Sequence, residues 1–427
     1  MSFAQPYFSK HHFLMPQITT PPPRGLSFIV VIPAYLEKDI TQTLLSLKNT
    51  VPVQGVTEVL IIVNFSESDS QENKKINRTA YQVLVDWCRN HSSSSMQFYP
   101  LLAPDLPDKH AGAGLARKIG MDEASYRFGW VDYPDGIILS LDADALVEAS
   151  YFQAVKNEMD AFPASGGCIL RYAHPISGTE FPEAVYKAIT LYELHLRYYK
   201  NALQYSGFPY AYYTIGSCFG VRAGFYVQQG GMNRRKAGED FYFLNKLFPH
   251  RSFLEINSTC VYPSPRPSSR VPFGTGPVIQ KIVNTGNMNF LTYNLQAFVA
   301  LKSFFNLVPE LHSMPEEKLK HTIETFPRSL QNFLRNNGFN KKLKEIRKNT
   351  ASQVTFIKRF FIWFDGFNVI KFLNYSHVEY YPRIDVVEAA TELLSVQQEG
   401  ITDKDPRSLL LFLRKRDNRT KSLSVNW

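Results

Sequence analysis

GIILSLDAD, residues 136–144, decides how this chain is read. Gly136–Leu141 is a short apolar run of the kind that forms a buried strand. It ends in two carboxylates one residue apart, Asp142 and Asp144. Working back from there, Ser27–Ile32 (SFIVVI) and Glu58–Val63 (EVLIIV) are further buried-strand runs, and Gln97–Leu101 is a weaker one. Helical stretches separate them. Asp39 caps a helix through Leu47, with Gln42 at the capping-box position. A second helix follows the polar loop Asn64–Asp69 and runs to about Cys88, and a third covers Gly114–Arg127. Strands alternating with helices imply right-handed βαβ units and a parallel sheet. Such sheets bind ligands beyond the carboxyl ends of their strands, so the residues just after each strand are the candidates for function.

Beyond Ser150 the alternation loosens. Helices are expected at 150–161 and 181–203, and strands at 166–172, 214–222 and 251–256. A turn at Gly230-Gly231 precedes a helix from about Glu239. Residues 263–276, rich in Pro, Ser, Arg and Gly, read as a loop, and the pattern from 277 onward is mostly helical. Residues 1–26, which hold His11-His12 and end in Pro21-Pro22-Pro23-Arg24-Gly25, read as an irregular arm. The expected division is therefore an arm at 1–26, an α/β domain at 27–276 and a helical region at 277–427.

Composition sets the bounds. The 427 residues suggest two or three domains at roughly 150 residues each. An apolar fraction of 44% supplies a core and excludes global disorder. Lys and Arg exceed Asp and Glu, 47 against 38, which favours anionic partners such as phosphates, sugar nucleotides or acidic lipid. Ordinary solubility charge accounts for the excess equally well. Cys88, Cys168, Cys218 and Cys260 form no metal-binding spacing and fit a reducing cytoplasm. No continuous apolar h-region occurs in Met1–Thr20, and no apolar stretch is long enough to span a bilayer. The chain is thus expected to be cytoplasmic, reaching any membrane substrate from the inner face.

Three local signals carry chemistry. Two carboxylates at a strand end suit a hard divalent cation, Mn2+ or Mg2+, which shares its oxygen shell with phosphates. A capped turn is the bland alternative. In the loop after the first strand, Tyr35 offers a stacking face and Glu37 a polar contact; alone, this is a strand stopped by Pro33. Gly238-Glu239-Asp240 opens a helix, where acidic residues are favoured by the dipole. Asp240 is also a candidate base for an acceptor hydroxyl.

Together these elements resemble the family 2 glycosyltransferases of the GT-A fold, of the bacterial, non-processive type. The matching residues are V-I-P-A-Y-x-E at Val31–Glu37, A-R-K-x-G-x-x-x-A at Ala116–Ala124, D-A-D at Asp142–Asp144, and Gly230-Gly231 with Glu239-Asp240. The resemblance covers about residues 27–262. It implies a nucleoside pocket at Pro33, Tyr35 and Glu37, and Arg117 facing the donor. Asp142 and Asp144 would hold ribose, metal and diphosphate, with Asp144 nearer the metal. Asp240, beside Glu239, is implied as the base of an inverting displacement. The implied donor is a UDP- or GDP-sugar. The family's Asp-Asp-Gly-Ser is replaced here by Asn64-Phe65-Ser66-Glu67, so Asn64 stands where a base-contacting carboxylate is usual. The Gln-x-x-Arg-Trp motif of processive synthases is absent.

Other segments have two readings each. Ser264–Arg270, with Arg266 and Arg270, can close over donor phosphates or serve as a linker. Lys109–Gly114 can aim amides at an anion, although a solvent-facing loop is the simpler reading of His110. Glu193, His195 and Arg197 lie on an aromatic helix that fits either acceptor contact or a buried packing role. Residues 341–367 combine Lys and Arg with Phe and Trp, which suggests a membrane surface or partner helix, against a helix packed with its charges solvated. No nucleic-acid motif accompanies the basic residues. The rival functions are a nucleotidyltransferase, disfavoured by Pro33–Glu37 where a glycine-rich basic loop belongs, and an inactive GT-A binding module.

Overall fold

The structure is a computed structural model describing residues 2–37, 40–236, 238–270, 274–400 and 403–419. The chain divides into two compact units. The first gathers residues 1–186, 214–281 and a short piece from Asp417; the second gathers 187–213 and 282–416.

In the first unit the order is α1 (Gln5–His11), β1 (Leu26–Ala34), α2 (Ile40–Lys48), β2 (Val56–Ser66), α3 (Gln71–His91), β3 (Met96–Leu106), α4 (Ala113–Trp130), β4 (Ile137–Ser140), β5 (Leu146–Val147), α5 (Tyr151–Ala161) and β6 (Gly167–Tyr172). Helix α6 (Glu183–Tyr205) begins here and continues as the 187–213 segment of the second unit. The chain returns with β7 (Phe219–Arg222), α7 (Ala223–Gln228), α8 (Glu239–Leu247), β8 (Phe253–Tyr262) and α9 (Thr275–Thr285). Asp39, the expected cap of α2, lies outside the described residues.

The strands form one eight-stranded sheet, ordered β3-β2-β1-β4-β7-β6-β8-β5. From β3 to β4 it is parallel, as the alternating pattern implies. The other half is mixed: β7 runs antiparallel to both β4 and β6, β6 pairs β8 in parallel, and β5 closes the edge antiparallel to β8. Helices α5 to α8 separate these strands too, but an antiparallel neighbour does not require a crossover helix, so alternation by itself does not reveal the mixed pairing. β1 and β2 are buried almost end to end, because helices cover a sheet of this kind on both faces.

The N-terminal arm, expected to be irregular, holds one short helix, α1, and irregular backbone from 12 to 25, and it is fastened to the rest of the unit. Tyr7 of α1 donates a 2.7 Å hydrogen bond to Asp122 and accepts one of 2.8 Å from Lys118, both on α4. The N–H of Gln17 donates to Glu123 at 2.7 Å, and Arg127 donates to the Thr20 carbonyl at 3.1 Å. Arg127 also forks onto Glu58 of β2 with both side chains fully buried. These buried charges on α4 are each paired, the condition under which a charge tolerates burial.

The second unit contains β9 (Leu291–Thr292), α10 (Leu295–Leu311), α11 (Glu316–Glu324), α12 (Arg328–Asn336), α13 (Phe339–Lys348), α14 (Gln353–Trp363), α15 (Gly366–Glu379), β10 (Ile384–Asp385), α16 (Val386–Val396) and α17 (Pro406–Arg419). The basic, aromatic segment 341–367 is not one helix. A capping box at Ser352 and Thr355 starts α14 anew after α13. Phe356, Phe360, Phe361 and Phe364 turn inward and are buried, while Val354 and Ile362 of α14 stay exposed. Among the described residues, no helix is long and apolar enough to cross a membrane.

Candidate active site

β1 and β4 are parallel neighbours, paired from Phe28↔Ile137 to Val31↔Ser140, so their carboxyl ends open side by side. The Leu141 N–H still reaches the Val31 carbonyl at 3.1 Å. Beyond that point the chains part, delivering Tyr35-Leu36-Glu37 from one strand and Asp142-Ala143-Asp144 from the other. Pro33 is a buried member of β1 rather than a stop after it. It lies past the last β1–β4 pair, where a missing N–H removes no ladder bond.

The loop after β8 brings two arginines to this edge. Arg266 Nη2 donates to both Glu37 oxygens at 3.0 and 2.9 Å and to Asp144 Oδ2 at 2.8 Å. Arg270 Nη1 donates to the Tyr35 carbonyl at 2.6 Å and also to Glu37. The basic loop thus meets Glu37 across 229 residues of sequence and Asp144 across 122.

A second cluster adjoins the first through Asp142. Arg117 of α4 is 2% exposed and donates to Asp142 at 2.5 Å and to Glu239 at the start of α8. Its Nε–H has no partner among the described residues, a buried donor left over for a ligand. Two glycines make room. A Cβ on Gly114 would lie 2.1 Å from the Arg235 carbonyl and 2.9 Å from Glu239 Cβ, and one on Gly216 would lie 2.8 Å from Arg117 Nη2. Asp240 follows Glu239 and accepts from the Phe241 N–H at 2.7 Å.

The electrostatics follow from crowding carboxylates with few cations. Burial, with Glu37 and Asp142 adding repulsion and the arginines opposing, pushes Asp144 up to about 6. Burial and then the charge of Glu239 push Asp240 up to about 7. Burial opposes the charge of Arg117, but Glu239, Asp142 and Asp240 hold its pKa above the ordinary value.

Among the described residues, no three His, Cys, Asp or Glu side chains converge as a closed metal cage. Asp142 and Asp144 nevertheless present hard oxygens at a strand end with Glu37 nearby. That donor set fits Mg2+ or Mn2+, which usually take one or two carboxylates and complete their shell with water and substrate phosphates.

Not every expected residue faces this edge. Asn64 is 3% exposed, and its amide donates to the Ala34 carbonyl at 3.0 Å, fastening β2 to the end of β1. His110 meets the Arg234 carbonyl at 3.1 Å. In the second unit, Glu193 pairs with Arg197 at 2.8 Å and Arg414 at 2.6 Å. His195 contacts Thr292 Oγ1 at 2.7 Å, and burial lowers its pKa to about 4. Glu193 and Arg197 are buried in that unit, and His195 and Arg414 are partly buried.

One contributor escapes the sequence reading. Leu36 adopts φ +51°, a left-handed conformation costing about 1–2 kcal/mol for a residue with a Cβ. Its N–H donates to Asn77 Oδ1 at 2.9 Å. An asparagine inside a helix, where its type is disfavoured, was the available signal.

No protein-family model matches the chain, and no curated protein matches it significantly. Among solved structures, S. aureus TarS 1–349 shares 15% identity at a TM-score of 0.38, covering 75% of this chain and 89% of that one. The same protein in complex with UDP-GlcNAc gives 15% and 0.40, over 75% and 89%. Its complex with UDP gives 14% and 0.36, over 92% and 88%. Likenesses this loose do not say what the present chain does.

Proposed function

We propose that this chain is a divalent-metal-dependent, inverting glycosyltransferase that moves a sugar from a UDP- or GDP-sugar to a hydroxyl acceptor. The observation that carries the reading is the meeting of Glu37, Asp144, Arg266 and Arg270 at the carboxyl end of β1 and β4, joined through Asp142 to Arg117, Glu239 and Asp240. A nucleoside diphosphate needs cations for its phosphates, and Arg266, Arg270 and Arg117 supply guanidinium groups. Asp142 and Asp144 would hold Mn2+ or Mg2+, which when bound neutralises charge on the diphosphate leaving group.

Asp240 takes the acceptor proton. As the hydroxyl oxygen bonds to the anomeric carbon, the bond from that carbon to the diphosphate oxygen breaks and its electron pair leaves with the diphosphate. A base near pKa 7 is half ionised at neutral pH, which suits this transfer. Burial, and after it the charge of Glu239, which is tied to Arg117, keeps Asp240 in that range. The four buried cysteines accord with a reducing, cytoplasmic setting.

A thermal-unfolding screen of UDP-, GDP-, dTDP- and CDP-sugars, each with and without Mn2+, tests the reading. A midpoint raised by one nucleotide class, dependent on metal and lost in Asp144→Ala, is expected. No shift with any donor, with acceptor extracts present or absent, overturns it in favour of a binding module.

A further inference from the structure

The left-handed Leu36 sits between the two residues that receive the arginine loop. Tyr35 accepts from Arg270 through its carbonyl at 2.6 Å, and Glu37 accepts from Arg266 at 2.9 Å. A leucine rarely occupies positive φ, because its Cβ crowds the backbone there. The conformation persists only where the surroundings over-determine it.

Asn77 supplies the restraint. It projects from α3, is 1% exposed, and accepts the Leu36 N–H at 2.9 Å. Its own amide nitrogen donates to the Asn73 carbonyl at 2.9 Å, which orients the side chain with its oxygen toward the loop. The neighbouring anchor, Tyr35 Oη donating to Asp69 at 2.8 Å, holds the tyrosine side chain rather than the Leu36 N–H.

We propose that Asn77 is a positioning residue: by holding Leu36 left-handed it aims the Tyr35 carbonyl and the Glu37 carboxylate at Arg270 and Arg266. Relaxation of Leu36 to an ordinary φ would swing Glu37 away from both arginines. Asn77 touches none of the groups assigned to proton transfer, so its effect falls on donor capture and not on turnover. The ligand half of this inference rests on the glycosyltransferase reading; the conformational half does not.

The test is a double-mutant cycle of Asn77→Ala and Leu36→Gly, read in unfolding midpoints without ligand and in steady-state kinetics. Glycine takes positive φ without help, so Leu36→Gly makes the asparagine dispensable. Asn77→Ala alone should raise KM for the nucleotide sugar about tenfold, equivalent to roughly 1.4 kcal/mol, with kcat within about twofold. Adding Leu36→Gly should return KM to within about threefold of the parent, and the two midpoint changes should be non-additive. If Asn77→Ala melts below the assay temperature, Leu36→Gly must restore folding. Additive effects, or no rescue, overturn the proposal and leave Asn77 a packing residue. If the parent enzyme turns over no nucleotide sugar, the functional reading fails by itself, and additivity of the midpoints still decides the role of Asn77.

Discussion

A single guanidinium nitrogen of Arg266 lies 2.9 Å from Glu37 and 2.8 Å from Asp144. It draws together two carboxylates that repel each other and that come from the ends of different strands. Charge-assisted contacts of this kind contribute about 1.5–3 kcal/mol each. Arg266→Ala should therefore weaken binding of the nucleotide-sugar donor at least tenfold at fixed Mn2+, by isothermal titration calorimetry. Unchanged affinity would remove Arg266 from the donor site.

Asp240→Asn removes the proposed base while keeping shape. The expected loss in kcat is on the order of 10²–10⁴, with donor affinity within a few-fold of the parent. In the parent enzyme, kcat/KM should rise with pH through the region near 7, where Asp240 ionises. A flat profile between pH 5 and 8 would assign the base elsewhere.

Stability should follow the opposite sign. The folded Asp240 pKa, about 7, is raised above the ordinary 3.8, so between those values the folded state holds a proton that the unfolded chain releases. This favourable contribution is present below the unfolded pKa and is lost as pH rises through the folded one. Asp240→Asn should flatten that descent in denaturant midpoints measured from pH 4 to pH 8.

Gly114→Ala places a methyl group 2.1 Å from a backbone carbonyl and against Glu239. Overpacking of this kind costs about 1–3 kcal/mol. The strain bears on α8, so both the unfolding midpoint and kcat should drop, whereas Gly230→Ala, whose Cβ meets nothing within 4 Å, should lower only the midpoint through its positive φ.

Tyr7→Phe deletes the hydroxyl shared by Asp122 and Lys118 beneath α4. The loss should be about 1–3 kcal/mol, the cost of leaving buried polar groups short of a partner. Urea denaturation measures it, and an unchanged midpoint would show that the arm adds nothing to the unit.

The sequence by itself determined the parallel half of the sheet, because SFIVVI, EVLIIV and GIILSL alternate with helical stretches, and a strand buried on both faces must be apolar throughout. It also placed Asp142, Asp144, Tyr35 and Glu37 just beyond strand ends, where such folds bind ligands. The rest required the tertiary structure. No local pattern could say that Arg266 and Arg270 would reach Glu37, since that pairing spans more than 225 residues and depends on how β8 enters the sheet. Nor could composition say whether the phenylalanines of 356–364 face lipid or core; burial decided it, because helix α14 turns them inward. Asn64, read as a ligand contact in one dimension, also ties β2 to the end of β1 in three. The left-handed Leu36 was likewise invisible, because a leucine carries no signal for a conformation that a distant asparagine enforces.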